Sequence, residues 1–288
     1  MSRPPVLDLP PGARAHRLAT ERGPFAVHDM GDPTRGTALL IPGFTGSKED
    51  FLGLLEPLSR DGFRVIAVDG RGQYESGGPR DEAAYAQEEL AADVLALSRV
   101  CGGDGPLHLV GHSLGGLVSR AAVLTDREPF ASLTLLSSGP GAVCPAQQSR
   151  LKMLLGALPV MEMEDIWRAM RELDPPEAAD EVTPPAVAEF LHHRWLANVP
   201  EQLAATARQL LAEPDRTAEL AALTGAGMPV HVVSGESDYV WPVAEMGAMA
   251  SAIGARRTVV VGADHSPNAE QPQQTARALI AGWATAVS

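Results

Sequence analysis

The stretch of sequence that decides the fold reads Leu107-His108-Leu109-Val110-Gly111-His112-Ser113-Leu114-Gly115-Gly116. An apolar run leads into Gly-x-Ser-x-Gly, and a helical pattern follows from Leu114 to Leu124. The turn is so tight that a side chain at position 111 or 115 would collide with neighbouring backbone, which glycine avoids. We therefore expect Ser113 to be exposed at the end of a strand and the start of a helix, rather than to be part of a glycine-rich helix start without chemistry.

Outward from this turn, short apolar runs alternate with helical patterns, which predicts a mostly parallel α/β sheet flanked by helices. The runs that predict strands are Phe25–His28, Thr37–Ile41, Phe63–Val68, Leu107–Val110, Leu133–Leu136, Val230–Val233 and Thr258–Val261. Helical patterns cover Lys48–Arg60, Asp81–Val100, Leu114–Leu124, Val243–Ile253 and Gln271–Ala286. The early segment 15–30 predicts an antiparallel hairpin at the edge of the sheet.

Residues 139–225 are too many for a simple crossover between neighbouring strands. Helical patterns lie at Leu151–Leu158, Met163–Leu173, Pro185–Trp195 and Pro200–Ala212, with a proline-rich break at Asp174-Pro175-Pro176. We interpret 139–225 as a helical cap inserted into one core domain made of residues 1–138 and 226–288. We expect some of the apolar cap residues to close over Ser113 and form an apolar pocket, the candidates being Leu154, Leu155, Met161, Met163, Ile166 and Trp167. The methionine group is as consistent with plain core as with a pocket wall, and it consists of Met153, Met161, Met163 and Met170.

The formal net charge of the 288 residues is −13, which disfavours binding to nucleic acids and to anionic membranes. No apolar run reaches the length of a signal peptide or a membrane-spanning helix. The two cysteines, Cys101 and Cys144, lie in separate predicted elements, so we expect neither a disulfide nor a cysteine metal site. These features predict a cytoplasmic protein without stable membrane association, and they give no indication of the oligomeric state.

A serine hydroxyl needs a base to act as a nucleophile at neutral pH. His265 follows the strand Thr258–Val261 and is the only histidine beyond residue 231, so its loop can reach Ser113 across the carboxyl edge of the sheet. The carboxylate that orients it should follow the preceding strand, where Glu236 and Asp238 are both present. We choose Asp238, because Glu236 lies at the turn itself and is better placed to be solvated, and Asp238 would fix the tautomer of the imidazole.

An oxyanion hole needs two backbone N–H groups directed at the developing negative charge. Leu114, which follows the nucleophile, should supply one of them. The loop after Thr37–Ile41 reads Pro42-Gly43-Phe44-Thr45-Gly46, and Phe44 is the expected second donor. Pro42-Gly43 alone indicates only a turn, so this expectation depends on the nucleophile, the base and the acid.

Taken together and in this order, the motifs resemble the α/β-hydrolase superfamily, within its capped serine esterase-like group, from about Gly36 to the C-terminus. The resemblance rests on Pro42-Gly43-Phe44-Thr45-Gly46, Asp69-Gly70-Arg71-Gly72, Gly111-His112-Ser113-Leu114-Gly115-Gly116, Gly235-Glu236-Ser237-Asp238 and Asp264-His265-Ser266-Pro267. Two departures stand out: Pro42 replaces a common histidine, and Tyr74 stands where a second glycine is usual. Gln73 or Tyr74 would then either reshape the pocket rim or pack on the surface. Ser113 argues against the related dehalogenases and epoxide hydrolases, which use an aspartate.

These residues predict acyl transfer to water with no cofactor and no metal. The expected substrate is a small to medium, mostly apolar carboxylic ester, or a related lactone or thioester, cleaved through an acyl-enzyme. A perhydrolase or acyltransferase, or a carbon–carbon bond hydrolase, would use the same three residues. A hydrolase fold that binds a ligand without turnover is a further, disfavoured alternative, because the three residues are intact.

Overall fold

The computed structural model describes residues 2–172 and 183–284, and within them one sheet forms the centre of the protein. Its strands run in the order β1-β2-β4-β3-β5-β6-β7-β8. In chain order they are β1 (Arg14–Thr20), β2 (Gly23–Met30), β3 (Gly36–Ile41), β4 (Phe63–Val68), β5 (Leu107–His112), β6 (Ser132–Leu136), β7 (Val230–Gly235) and β8 (Arg256–Val260). Strand β2 is antiparallel to β1 and β4, and the other pairs are parallel, so the predicted sheet and its antiparallel edge hairpin are confirmed.

The helices flank this sheet. They are α1 (Leu52–Arg60), α2 (Gln87–Cys101), α3 (Leu114–Thr125), α4 (Pro145–Ala157), α5 (Met163–Glu172), α6 (Pro185–Ala197), α7 (Pro200–Ala212), α8 (Thr217–Gly225), α9 (Val243–Ala252), α10 (Pro267–Glu270) and α11 (Pro272–Ala284). Short 3₁₀ turns at Lys48–Phe51 and Glu82–Tyr85 precede α1 and α2.

Some helix boundaries differ from the prediction. The predicted helix 81–100 is interrupted at Ala86, whose extended ψ of 149° ends one helical segment before the next begins. Helix α8 was not predicted, because Leu220 is its one buried residue and its apolar pattern is correspondingly weak. The predicted end of α5 at Leu173, the break at 174–176 and positions 285–286 of the last helix lie outside the described residues.

The central strands are buried on both faces. On β5, Leu109 packs into the apolar layer beneath α2 and α3, while Val110 packs into the layer beneath α1 and α11, and both side chains are fully buried. Strands covered on two sides are apolar throughout rather than alternating. This explains why the runs around β3, β4 and β5 were recognisable in the sequence.

Two buried ion pairs tie the segment between β6 and β7 to the rest of the protein. Arg194 of α6 donates to Asp50 Oδ1 at 2.6 Å and to Ser47 Oγ at 3.2 Å, and burial outweighs Arg194 in raising the pKa of Asp50. Arg120 of α3 donates to Glu213, just after α7, at 2.7 Å. Removing one partner of such a buried pair leaves an uncompensated charge, which costs about 3–5 kcal/mol. The two pairs therefore tie α6 to the turn before α1, and the end of α7 to α3.

Cys101 and Cys144 are both free thiols. Over residues 2–172 and 183–284, no helix combines the length and the apolar character needed to cross a membrane.

Candidate active site

Ser113 stands between β5 and α3 with backbone angles of φ 54° and ψ −120°. A positive φ is strained for a residue with a side chain, and such strain is concentrated at functional sites. A Cβ on Gly111 would overlap the backbone of Gly115 and Gly116, as the sequence indicated. The Ser113 N–H donates to Leu136 O at 2.9 Å, which fixes the turn against the neighbouring strand.

The structure brings the three predicted side chains into one hydrogen-bonded chain. Ser113 Oγ lies 3.0 Å from His265 Nε2, and His265 Nδ1 lies 2.9 and 3.0 Å from the two oxygens of Asp238. A carboxylate only accepts, so Nδ1 carries the proton and Nε2 is left to accept from the serine hydroxyl. This is the tautomer that a general base for Ser113 requires.

Asp238 and Glu236 have different surroundings. The Asp238 side chain is fully buried, and its Oδ1 accepts from the backbone N–H groups of Val240 at 2.7 Å and Trp241 at 3.1 Å. Glu236 is exposed, and its carboxylate accepts from Gly262 N at 3.1 Å, away from the imidazole. Geometry therefore favours Asp238 as the partner of His265.

Of the two residues expected to supply the oxyanion donors, Leu114 follows Ser113 directly and Phe44 lines the same cavity. Leu114 is the first residue of α3, and the first N–H groups of a helix have no partner within the helix. The loop of Phe44 is a turn closed by Gly46 N donating to Gly43 O at 3.1 Å. A Cβ on Gly43 would be 3.2 Å from Ser113 Cβ, so glycine at this position lets the loop approach the nucleophile without a tight contact.

Two residues that support the loop of His265 were not assigned this role from the sequence. His112 Nε2 donates to the His265 carbonyl at 2.8 Å, and burial lowers the pKa of His112 to about 3, so it stays neutral. Glu270 accepts from the backbone N–H groups on either side of His265, those of Asp264 and Ser266. The sequence carries no signal for either role, because both bonds involve main-chain atoms.

The two residues of the unusual segment after β4 have separate environments. Gln73 is buried and donates to the carbonyls of Gly43 and Phe44. Its side chain therefore lies neither at the pocket rim nor on the surface. Tyr74 has a positive φ of 37°, where glycine is the usual residue, and its ring packs edge-on against Phe190 and His193 of α6. Neither side chain lines the cavity at Ser113.

A cavity of about 130 Å³ opens beside Ser113 and His265. It is lined mainly by apolar and uncharged polar residues: Ser2, Gly43, Phe44, Thr45, Gly46, His112, Val143, Gln147, Leu151, Leu210, Tyr239 and Val240. Within the part of the chain that the structure describes, no lysine, arginine, aspartate or glutamate lines it. The described lining therefore offers no lysine or arginine side chain to pair with an anionic substrate.

The cap residues expected to line this cavity were the wrong ones. Of the described residues between β6 and β7, Val143, Gln147, Leu151 and Leu210 line it, and none of the six apolar residues or four methionines named above does so. The apolar stripe of α5 is instead used within the insertion, where Ile166 packs with Trp195 and Leu203, and Met163, Trp167 and Met170 surround them. Met153 and Met161 are exposed.

Comparisons with known proteins agree with this architecture. A polyketide synthase, ThaQ, from Burkholderia thailandensis is 27% identical over 277 residues, covering 91% of this chain and 12% of the synthase. A 2-hydroxy-6-oxononadienedioate/2-hydroxy-6-oxononatrienedioate hydrolase from Cupriavidus pinatubonensis is 27% identical over 70% of this chain and 69% of the relative. A thermophilic esterase of known structure from Thermogutta terrifontis is 26% identical, with a TM-score of 0.72 over 96% of this chain and 100% of the esterase.

The matched stretch is a minor part of some curated relatives, with 12% of the synthase and 41% of a relative from Variovorax paradoxus covered. A family model, described as the alpha/beta hydrolase family, matches residues 38–278. This range runs from β3 into α11 and includes Ser113, Asp238 and His265. The chain belongs to the alpha/beta hydrolase family.

Proposed function

We propose that this hydrolase cleaves small to medium, uncharged carboxylic esters through an acyl-enzyme on Ser113. The observation that carries the proposal is the hydrogen-bonded chain from Ser113 through His265 to Asp238, which starts at a strained turn. It opens on a cavity whose described lining contains no lysine, arginine, aspartate or glutamate. The likeness to a solved esterase over nearly the whole chain supports the same reaction class.

In this mechanism Ser113 Oγ attacks the ester carbonyl carbon while its proton passes to His265 Nε2. The imidazolium so formed is stabilised by Asp238, which accepts from Nδ1. The carbonyl oxygen becomes an oxyanion that accepts from the N–H groups of Phe44 and Leu114. The imidazolium then protonates the leaving alcohol, and the same histidine takes a proton from the water that hydrolyses the acyl-enzyme.

The chemistry of the cavity supports an uncharged substrate. Val143, Leu151 and Leu210 come from the segment between β6 and β7 and face Ser113 from above the sheet edge. We propose that residues 139–225 act as a cap that shields the acyl-enzyme and selects the substrate. A carboxylate placed in this cavity would be desolvated without a cation to compensate it.

Carbon–carbon bond hydrolysis is a second use of the same three residues. The relative from Cupriavidus pinatubonensis supports this alternative, because its name gives an oxo-dioate as substrate, a compound that contains a ketone and no ester bond. A dioate has two carboxylates, and the described cavity offers no lysine or arginine to either. Ester hydrolysis is therefore our first choice, with lactones and thioesters, and perhydrolase or acyltransferase activity, as variants on the same acyl-enzyme.

We further propose a cytoplasmic protein that binds neither nucleic acids nor membranes stably. The formal net charge of −13 supports the expected lack of binding, because nucleic acids and anionic membranes also carry negative charge. A small-molecule ester is then its expected partner.

The experiment compares two activated esters of nearly equal length, p-nitrophenyl butyrate and p-nitrophenyl hemisuccinate. The acyl chain of the butyrate ends in a methyl group, and that of the hemisuccinate ends in a carboxylate. We expect kcat/KM to be at least about 100-fold higher for the butyrate, because an unpaired buried charge costs several kcal/mol. The Ser113→Ala variant provides the background rate for each ester.

Equal rates for the two esters would contradict the uncharged-substrate proposal. Hydrolysis of 2-hydroxy-6-oxononadienedioate in preference to both esters would favour the carbon–carbon alternative. Absence of Ser113-dependent turnover with esters, lactones and thioesters would contradict the ester hydrolase proposal.

A further inference from the structure

The side chain of Gln73 lies beneath the loop that carries Phe44. It is only 5% exposed, although it follows β4 in a connecting segment. Its Nε2 donates to Gly43 O at 2.7 Å and to Phe44 O at 3.3 Å, and its Oε1 accepts from Gly70 N at 3.1 Å. One amide therefore joins two consecutive carbonyls of the loop to the segment after β4.

These contacts determine the direction of a backbone donor. No peptide bond in the described residues is cis, and in a trans peptide the C=O and the following N–H point in opposite directions. Holding Gly43 O against Gln73 thus turns the Phe44 N–H away from Gln73. Gly43 itself borders the cavity and approaches Ser113 closely, so that N–H belongs to a peptide unit beside the nucleophile.

The loop is also restrained from its other side. Gly46 N donates to the same Gly43 carbonyl, and the Phe44 ring packs against the cluster of Ile166, Trp195 and Leu203. The turn bond and the ring contact restrain the shape of the loop. Among the described side chains, Gln73 is the one that donates to both the Gly43 and the Phe44 carbonyl.

We propose that Gln73 is a positioning residue that orients the Phe44 N–H toward the oxyanion. The inference rests on the proposed ester hydrolysis and specifies how its transition state is stabilised. Gln73 does not border the cavity, so it acts through the loop and not on the substrate.

The test uses two substitutions of similar size. Gln73→Met removes the donors and the acceptor, and Gln73→Glu keeps the acceptor for Gly70 N but directs a carboxylate oxygen at two carbonyl oxygens. For both we expect kcat on p-nitrophenyl butyrate to fall about 10- to 100-fold, since loss of one well-placed oxyanion donor costs about 100- to 1,000-fold. KM should change by less than about threefold, because the donor acts in the transition state.

A second readout separates positioning from mere stability. An alkyl trifluoromethyl ketone adds reversibly to Ser113 Oγ, the serine proton goes to His265, and the hemiketal oxygen occupies the oxyanion position. Its affinity, measured by calorimetry, should weaken in proportion to the loss of kcat/KM. The ketone readout requires no turnover, so it remains informative if the natural substrate is not a simple ester.

Gln202→Met is the matched control. Gln202 is as buried as Gln73 and packs against Gly72, but its side chain donates to Thr206 within α7 and forms no hydrogen bond with the Phe44 loop in the described residues. We expect this variant to lose stability while keeping kcat and the affinity for the ketone. Parental kcat and ketone affinity in both Gln73 variants would overturn the inference, as would an equal loss in Gln202→Met. Absence of Ser113-dependent esterase activity in the parent would instead count against the proposed function.

Discussion

Two serine–histidine pairs lie on this sheet, one at its carboxyl edge and one between the sheet and α11. Ser113 Oγ is 3.0 Å from His265 Nε2, and Ser132 Oγ is 2.8 Å from His108 Nδ1. Judged by the distance between hydroxyl and imidazole, the two pairs are alike. Their surroundings differ on the side of the imidazole that faces away from the serine.

The second nitrogen of each imidazole shows the difference. His265 Nδ1 bonds the buried Asp238, whereas His108 Nε2 has no hydrogen-bond partner among the described residues and its ring stacks on Trp283 at 4.9 Å. Burial lowers the pKa of His108 to about 4, so this imidazole resists the proton that a base must accept. Ser132 also borders a cavity, of about 290 Å³, so a cavity alone does not make a hydroxyl–imidazole contact a candidate nucleophile. The carboxylate behind the imidazole makes the difference.

The largest expected effect comes from removing each serine in turn. Ser113→Ala should lower kcat/KM for p-nitrophenyl butyrate by at least about 1,000-fold, because it removes the covalent partner. Ser132→Ala should retain activity within about threefold but unfold at lower temperature, since it leaves His108 Nδ1 unsatisfied at a cost of about 1–3 kcal/mol. Initial rates and thermal denaturation measure the two effects. Comparable activity in the two variants would remove the distinction between the pairs.

The next effect concerns the carboxylate that only one pair has. Asp238→Asn should lower kcat by on the order of 1,000-fold, because an amide at this position supports the wrong tautomer of His265. Glu236→Gln, a surface change on the same loop, should keep parental kcat. Steady-state kinetics at fixed pH compares the two. If Glu236→Gln proved the more damaging, the choice of acid would be wrong.

A smaller effect concerns the stability of the buried pair. His108 has an ordinary pKa when unfolded and about 4 when folded, so the unfolded chain binds the proton first as the pH falls through this window. The contribution of His108 to stability is complete above about pH 6.5 and is lost toward pH 4. Between pH 7.5 and 4.5 the free energy of unfolding of His108→Gln should therefore fall by about 2 kcal/mol less than that of the parent. Chemical denaturation at the two pH values measures this difference.

The exposed His193→Gln variant is the control for this pH effect. Its free energy of unfolding should follow the parent at each pH, because His193 is solvent-exposed. Parallel pH curves for the parent and His108→Gln would contradict the assignment of a neutral, buried imidazole.

The smallest effect concerns the cavity before Ser113. Each added acyl methylene should improve kcat/KM by at most about fourfold, or ~0.8 kcal/mol, until the cavity is full, after which activity should fall. A p-nitrophenyl ester series from acetate to decanoate should therefore show a maximum. Rates that climb steadily to long, emulsified chains would indicate an open groove in place of a closed cavity.

The sequence was sufficient to predict the sheet and the turn at Ser113, because both leave local patterns. Strands buried on two faces are continuously apolar, and a tight turn requires glycine at positions 111 and 115. The loops of Asp238 and His265 were predictable since the carboxyl ends of parallel strands meet at one edge of the sheet.

The lining of the cavity could not be predicted in this way. Which face of an inserted helix turns toward Ser113 depends on how the helices pack on one another, and α5 uses its apolar stripe within the insertion. Gln73, His112 and Glu270 were also missed as supporting residues, because each bonds main-chain atoms. A bond to a main-chain atom imposes no residue type on its partner.

The most direct measurement is covalent labelling by an alkyl fluorophosphonate, followed by intact mass and peptide mapping. The serine oxygen displaces fluoride from phosphorus, so one adduct forms on each reactive serine. We expect one adduct per chain, located on Ser113, absent in Ser113→Ala and undiminished in Ser132→Ala. An adduct on Ser132, or labelling that persists in Ser113→Ala, would contradict the assignment of Ser113 as the nucleophile.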